Sequence, residues 1–216
     1  MGRYPCAAPC TYTYRQWHPN QRTGTLRQSI CGWSGCRTRT PLFPYCAKHA
    51  DQLLGILLQK SKSSGCGVYA GRHFSPGDVI APYTGVVVPE KTHIPSPYLM
   101  STSSRKNVID ATLYRAWASM VNHSDTSPNV TAELIRIPPG GKTGHHRRRI
   151  ELADKRVRHV PAGLLCYPFL DQEVWPFMVA TKEIQKGEEF LLNYGTEAKY
   201  LLKFKHSTTP TFCKSS

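Results

Sequence analysis

The apolar positions change their spacing along the chain, and each spacing predicts an element. Residues 49–60 carry Leu53, Leu54, Leu57 and Leu58 in a one-sided pattern, which predicts a short helix with an apolar face. Beyond it the text becomes strand-like. Residues 67–72, 79–88, 134–137, 164–170, 177–184 and 189–194 are short apolar stretches between polar or turn-forming residues. Ser75-Pro76-Gly77-Asp78 and Gln185-Lys186-Gly187-Glu188 have the composition of turns between such strands. One helix interrupts them, predicted where Leu113, Trp117, Met120 and Val121 follow i, i+4, i+7, i+8 and stop at Asn122. Many short strands with few helices predict a mostly β, β-rich α+β fold and argue against a doubly wound sheet.

Two stretches do not fit that pattern. The first 45 residues are poor in aliphatics and rich in Cys, Arg, Thr and Pro, so they need a metal staple or a host domain to fold. Residues 138–161, with Gly140-Gly141 and His145-His146-Arg147-Arg148-Arg149, read as a long basic loop.

Composition narrows the class. With 216 residues, 40% hydrophobic and 10% aromatic, the chain has material for one sizeable core and is not disordered throughout. No apolar run approaches the roughly 20 residues of a membrane span. The start of the chain lacks an apolar core, so no secretory leader is expected. The formal charge is +14, and it is concentrated. Residues 1–64 hold nine basic side chains against Asp51 alone, and residues 142–159 hold seven basic against two acidic. Two such blocks point to a polyanionic partner, nucleic acid or nucleosome; the plainer alternative is a solvated face that binds nothing.

Five of the eight cysteines fall within residues 6–46, where without a secretion signal they read as metal ligands before disulfides. Cys31-x4-Cys36-x9-Cys46-x2-His49 offers three thiolates and one imidazole, a closed set suited to structural zinc. Cys6-x3-Cys10 could replace one of these pairs, or begin a second site with His18. Other chemistries fail on their residues. Gly141-Lys142-Thr143 would end a phosphate-binding loop only with glycine at 136, which is Arg136. Neither a Gly-x-Ser-x-Gly elbow nor a His-Glu-x-x-His helix is present.

One ordered series remains. Gly65-Cys66-Gly67-Val68-Tyr69-Ala70 precedes Pro76-Gly77-Asp78, Tyr83-Thr84-Gly85, Tyr98-Leu99 and Ile109-Asp110-Ala111. Then come Val121-Asn122-His123-Ser124 with Pro128-Asn129, Val179-Ala180-Thr181-Lys182-Glu183-Ile184, Lys186-Gly187-Glu188-Glu189 and Asn193-Tyr194-Gly195. This series closely resembles the SET-domain protein lysine methyltransferases over about residues 60–200. The resemblance implies small curved sheets and a C-terminal pseudoknot that brings the Asn-His segment beside the last strand. It divides the chain into a Cys-rich, pre-SET-like segment at 1–58, a SET domain at 59–200 with the basic insertion 138–161, and a tail at 201–216.

The resemblance also implies an S-adenosylmethionine-dependent protein-lysine N-methyltransferase, acting on a histone or another chromatin- or nucleic-acid-bound protein. An intracellular setting is expected, nuclear before cytoplasmic. Gly65, Cys66 and Gly67 would give backbone contacts to the cofactor, Tyr98 would lie against it, and Asn122 would hold its amino-acid part. His123 would offer its main chain to the adenine. Tyr194 would line the meeting point of cofactor and substrate, with Tyr83 walling the lysine channel. Leu192, where the family often has a Phe or Tyr, implies multiple methylation. Ser119 stands where an arginine is common. The tail has only Cys213, so a metal-closed channel is not expected, and Tyr200, Phe204 or Phe212 would pack there. The alternative function is a non-catalytic chromatin- or nucleic-acid-binding module on a SET-like scaffold.

Overall fold

The structure, a computed structural model, describes residues 29–33, 35–43, 45–62, 65–90, 98–102, 106–112, 114–136 and 174–195. The strand expected at 164–170, the basic loop 138–161, Cys6, Cys10, His18 and the tail lie outside the described residues.

Gly55 decides where the α-helix stops. Helix α1 spans Ala47–Leu54, and Gly55 follows with φ 69°, its N–H donating to Asp51 O at 2.9 Å. A side chain there would be strained and would meet Arg72 Cγ at 2.5 Å, so glycine turns the chain sharply. The helix expected over 49–60 is therefore corrected. Its second half is strand β4, with Leu57 and Leu58 paired to Tyr69 and Val68.

In chain order the strands are β1 (Ser29–Ile30), β2 (Arg39–Thr40), β3 (Leu42–Phe43), β4 (Ile56–Lys60), β5 (Cys66–Ala70), β6 (Val79–Pro82) and β7 (Val86–Pro89). They continue with β8 (Leu99–Ser101), β9 (Asn107–Asp110), β10 (Arg115–Ala116), β11 (Asn122–His123), β12 (Val130–Arg136), β13 (Val174–Ala180) and β14 (Leu191–Leu192). They form a five-stranded sheet in the order β11-β14-β12-β13-β6, a three-stranded sheet β7-β9-β8, and the pairs β4-β5, β1-β2 and β3-β10. The mostly β expectation holds. Among the described residues no helix is long and apolar enough to cross a membrane.

The strands expected at 134–137 and 189–194 run instead over Val130–Arg136 and Leu191–Leu192, and three further elements depart from their expected bounds. The single strand at 79–88 is two, because the chain turns a corner at Tyr83-Thr84-Gly85 and β7 leaves for the other sheet. The strand expected at 177–184 runs instead from Val174 to Ala180, paired along its length with β12 from Val130↔Ala180 to Arg136↔Val174. The helix expected near 113–121 is only a 3-10 turn, Trp117–Met120. Its apolar stripe does not mark one face, since all four of its residues are buried. Trp117 Nε1 donates to Tyr45 O at 3.2 Å and Ser119 Oγ to Ala116 O at 2.7 Å, so even its polar atoms are satisfied inside.

The core is one cluster that includes Trp117, Phe74, Phe177, Phe190, Ile80 and Ile109. Phe74 and Phe190 meet edge to face, 5.2 Å between ring centres. The last described strand binds the fold together. Phe190 N–H donates to Val68 O of β5, yet Leu191 and Leu192 pair in parallel with Asn122 and His123. Where the chain changes neighbours, the Asn129 side chain completes the ladder. Its Oδ1 accepts from Leu191 N at 2.7 Å and its Nδ2 donates to Glu189 O at 2.8 Å. The Asn-His segment thus lies beside the last described strand, the proximity expected of the pseudoknot.

Candidate functional site

The expected site residues fall into two connected groups and one separate cluster. The first group surrounds the turn between β4 and β5, closed by Ser61 N–H donating to Gly65 O at 2.8 Å. Gly67 follows, and the buried Asn122 reaches across from β11. Its Nδ2 donates to Cys66 O at 3.1 Å and to Glu189 Oε1 at 2.8 Å. Glu189 Oε2 accepts from Ser61 Oγ at 2.9 Å and from Tyr69 OH at 3.0 Å. One carboxylate therefore ties the Gly65–Cys66–Gly67 turn, β5 and Asn122 into a unit. Sequence reasoning missed Glu189 as a site residue. The available signal was a carboxylate set directly against the buried Phe190, a position that requires polar partners.

Gly67 is needed for contact, not for turning. A Cβ at this position would run into Glu189 Oε1 and come within 2.9 Å of Asn122 Nδ2. Gly67→Ala is expected to push the Glu189 carboxylate off its donors, a loss of roughly 1–3 kcal/mol for a displaced charged hydrogen-bond acceptor. Thermal denaturation would show it, and an unchanged melting point would contradict the packing described here.

The second group is aromatic. Tyr83 and Tyr98 are fully buried and Tyr194 is partly buried. Burial pushes the Tyr83 phenol well above its ordinary range, with nearby Tyr194 and Asp110 adding to the effect. Burial likewise raises Tyr194, helped by Tyr98 and Glu189. The Tyr83 phenol feels Tyr194 and Tyr98, and the Tyr194 phenol feels Tyr98, so the three rings lie near one another. The backbone at Tyr83 is pinned from both sides. Its N–H donates to Pro176 O at 2.9 Å, and its carbonyl accepts from Trp175 Nε1 at 2.7 Å. Tyr194 OH donates to Val121 O, the residue before Asn122.

His123 serves as scaffold between the two groups. Its Nδ1 accepts from Tyr194 N–H at 3.1 Å, and its Nε2 faces Asp125 Oδ1 at 3.1 Å. The same Nδ1 lies 3.2 Å from Leu192 O. Leu192 pairs with His123, is buried, and accepts from Ser124 N–H at 3.1 Å. Sequence reasoning also missed Arg115, whose guanidinium lies 3.6 Å above the Tyr98 ring centre. It was hidden because the surrounding stripe reads as an amphipathic helix, on which an arginine would face water.

The separate cluster is Cys31, Cys36, Cys46 and His49, whose ligand atoms all lie within 4.8 Å of one another. Cys46 caps α1 and His49 sits one turn inside it, so the helix aims both at one point. His49 Nδ1 is 3.3 Å from Cys31 Sγ and 3.3 Å from Cys46 Sγ. Trp33 stacks on the imidazole with centroids 5.3 Å apart. Burial pushes the Cys31 thiol up to about 11, while hydrogen bonds from Thr38 lower that of Cys36. Three thiols and one imidazole grouped this closely could hold a metal ion, and the donor set suits zinc. The cluster joins the site through β3, whose Leu42 pairs with Arg115, and through the Trp117 bond to Tyr45 O.

Comparisons with known proteins bear on this geometry. No curated protein matches the chain. Among solved structures it is similar to a humanized mutant of the Chaetomium thermophilum Polycomb Repressive Complex 2, with 19% identity, 65% of this chain and 15% of that chain covered, and a TM-score of 0.45. It is also similar to KRYPTONITE in complex with mCHG DNA and SAH, with 16% identity, 65% and 23% covered, and a TM-score of 0.44. The chain thus spans less than a quarter of the length of either. A model of the SET domain matches residues 65–195, more than half of the sequence. That match takes in the Gly65–Gly67 turn, the three tyrosines, Asn122 and Glu189, and the chain belongs to the SET-domain family.

Proposed function

We propose that the chain is an S-adenosylmethionine-dependent protein-lysine N-methyltransferase. The observation that carries this reading is the convergence of the buried Tyr83 and Tyr98 with the partly buried Tyr194, the last bonded through Val121 and His123 to the strand that bears Asn122. Gly65, Cys66, Gly67 and Asn122 would hold the cofactor's amino-acid part, Tyr98 would pack on it, and the His123 backbone would meet the adenine. When bound, the cofactor supplies an electrophilic methyl on a positive sulfonium.

The protein's own residues act on the nucleophile. Tyr83, Tyr194 and Leu192 would line the lysine channel and exclude water, and a desolvated amine favours its neutral form. These residues would aim the amine lone pair in line with that methyl and would let the extra proton of the methylated amine pass to solvent. No general base is required, so positioning supplies most of the rate. Because the Tyr194 hydroxyl proton is directed to Val121 O, its oxygen lone pairs face the reacting groups as acceptors. Leu192 brings no hydroxyl to restrain a methylated amine, which favours di- and trimethylated products.

The Cys31, Cys36, Cys46 and His49 set would hold a structural zinc, closed to catalysis. The substrate class we favour is a histone or another protein presented on nucleic acid, in a nuclear setting. Arg37, Arg39, Lys48, Lys60 and Lys62 are exposed on the N-terminal segment, and phosphates would dock them where a basic tail alone would not.

Incubation with methyl-labelled S-adenosylmethionine, core histones and nucleosomes tests the reading. Label on lysine, stronger on nucleosomes than on free histones, is the expected result. Salt-sensitive DNA binding with no cofactor binding would instead make the chain a non-catalytic module.

A further inference from the structure

Among the described residues Arg115 is the only buried Lys or Arg side chain. Strand β10 holds it there through the parallel pairing of Arg115 with Leu42, so the side chain leaves the backbone inside the fold. Its guanidinium lies flat on Tyr98, and Nη1 is 3.8 Å from the Met120 sulfur. Nε has no partner. No carboxylate among the described residues forms an ion pair with it. Asp110 is the buried acid whose charge reaches it, but Asp110 Oδ1 accepts from Thr112 N–H at 2.9 Å and from Thr112 Oγ1 at 2.5 Å.

A cation buried without a carboxylate partner is costly, and a fold keeps one where a bound anion completes it. The position selects the anion. The guanidinium covers Tyr98, whose backbone carbonyl accepts from Ala111 N–H at 2.9 Å, and its charge is felt by the Tyr83 phenol. It therefore lies buried among these tyrosines and not on an outer face. We infer that Arg115 is the binding residue for the α-carboxylate of the methyl donor, an inference that rests on the function proposed above. A guanidinium fork suits a carboxylate in a way that an ammonium does not. Ser119 cannot take this role, because its hydroxyl donates to Ala116 O.

Calorimetric titration of the full chain with three ligands tests it: S-adenosylmethionine, its decarboxylated analogue, and 5′-methylthioadenosine, which lacks the whole amino-acid arm. Wild-type protein is expected to prefer S-adenosylmethionine over the decarboxylated analogue by roughly 10–100-fold, the range for a charge-assisted, desolvated pair. Arg115→Met should reduce that preference to about twofold or less while leaving 5′-methylthioadenosine affinity unchanged. Arg115→Lys should keep part of the preference. Equal losses for both sulfonium ligands in Arg115→Met, or a wild type indifferent to the carboxylate, overturns the assignment. Weakened 5′-methylthioadenosine binding in Arg115→Met marks a damaged fold; Arg115→Lys then decides, and a full or absent preference in it overturns the assignment. A wild type that binds none of the three ligands removes the proposed function, and the assignment falls with it.

Discussion

Tyr194→Phe is expected to lower kcat by about two to three orders of magnitude, the range for removing one positioned polar group from a transition state. Cofactor affinity should change by no more than about twofold, because the ring and its packing on His123 remain. The direction follows from the hydrogen-bond network. Val121 O fixes the phenolic proton, so only the oxygen's lone pairs are left to orient the amine and the moving methyl. Removing the oxygen also deprives Val121 O of a donor, with a stability loss of roughly 1 kcal/mol that thermal melting separates from catalysis. The pH–rate curve should keep its shape. Burial raises the Tyr194 phenol above its ordinary value of about 10, so it is protonated below that pH in the native protein and adds no ionisation at neutral pH. The rise of rate with pH belongs to the target amine in wild type and variant alike. Wild-type turnover by Tyr194→Phe would remove this residue from the mechanism.

Metal removal is the second large effect. Purified protein should carry about one equivalent of zinc, and Cys46→Ser or a strong chelator should lower its melting temperature by roughly 10 °C or more. The size reflects what the ion organises. Strands β1 and β2 bury little apolar surface, with Ile30 and Arg39 exposed, so ligand bonds contribute most of their folding free energy. The loss should spread inward as well, because β3 pairs with β10 and Tyr45 O accepts from Trp117. Weaker cofactor binding is thus expected alongside the lower melting point. Less than about a tenth of an equivalent of zinc after mild purification would end the assignment.

Motifs made of chemistry proved easier to read in the sequence than elements made of periodicity. Cys31, Cys36, Cys46 and His49 announce themselves by residue type and spacing, and their ligand atoms do converge. The ordered series from Gly65–Gly67 through Asn122 to Tyr194 pointed to the family for the same reason, and the fold brings Asn122 to Cys66 and Tyr194 to His123. The helix expected over 49–60 fails at a visible residue: Gly55 sits inside the apolar run and acts as a left-handed stop. The Trp117 segment was not readable in this way. Periodicity assumes that one face meets water, and tertiary packing surrounds this turn on every side. Arg115 and Glu189 escaped notice because an ionisable residue in such text is ordinarily solvated. Only the fold shows that these two are drawn into the pocket.

The parallel pairing of β11 with β14 constrains how the protein reaches its native state. No hairpin can bring Asn122 and His123 to Leu191 and Leu192, so a long loop must close before either strand gains a hydrogen bond. Asn129 cannot complete the Glu189 and Leu191 backbone until both segments have arrived. Tyr194 follows immediately, so its contacts with His123 and Val121 depend on the closures of highest loop entropy. Folding intermediates should therefore hold the β12-β13 ladder while lacking any affinity for the methyl donor.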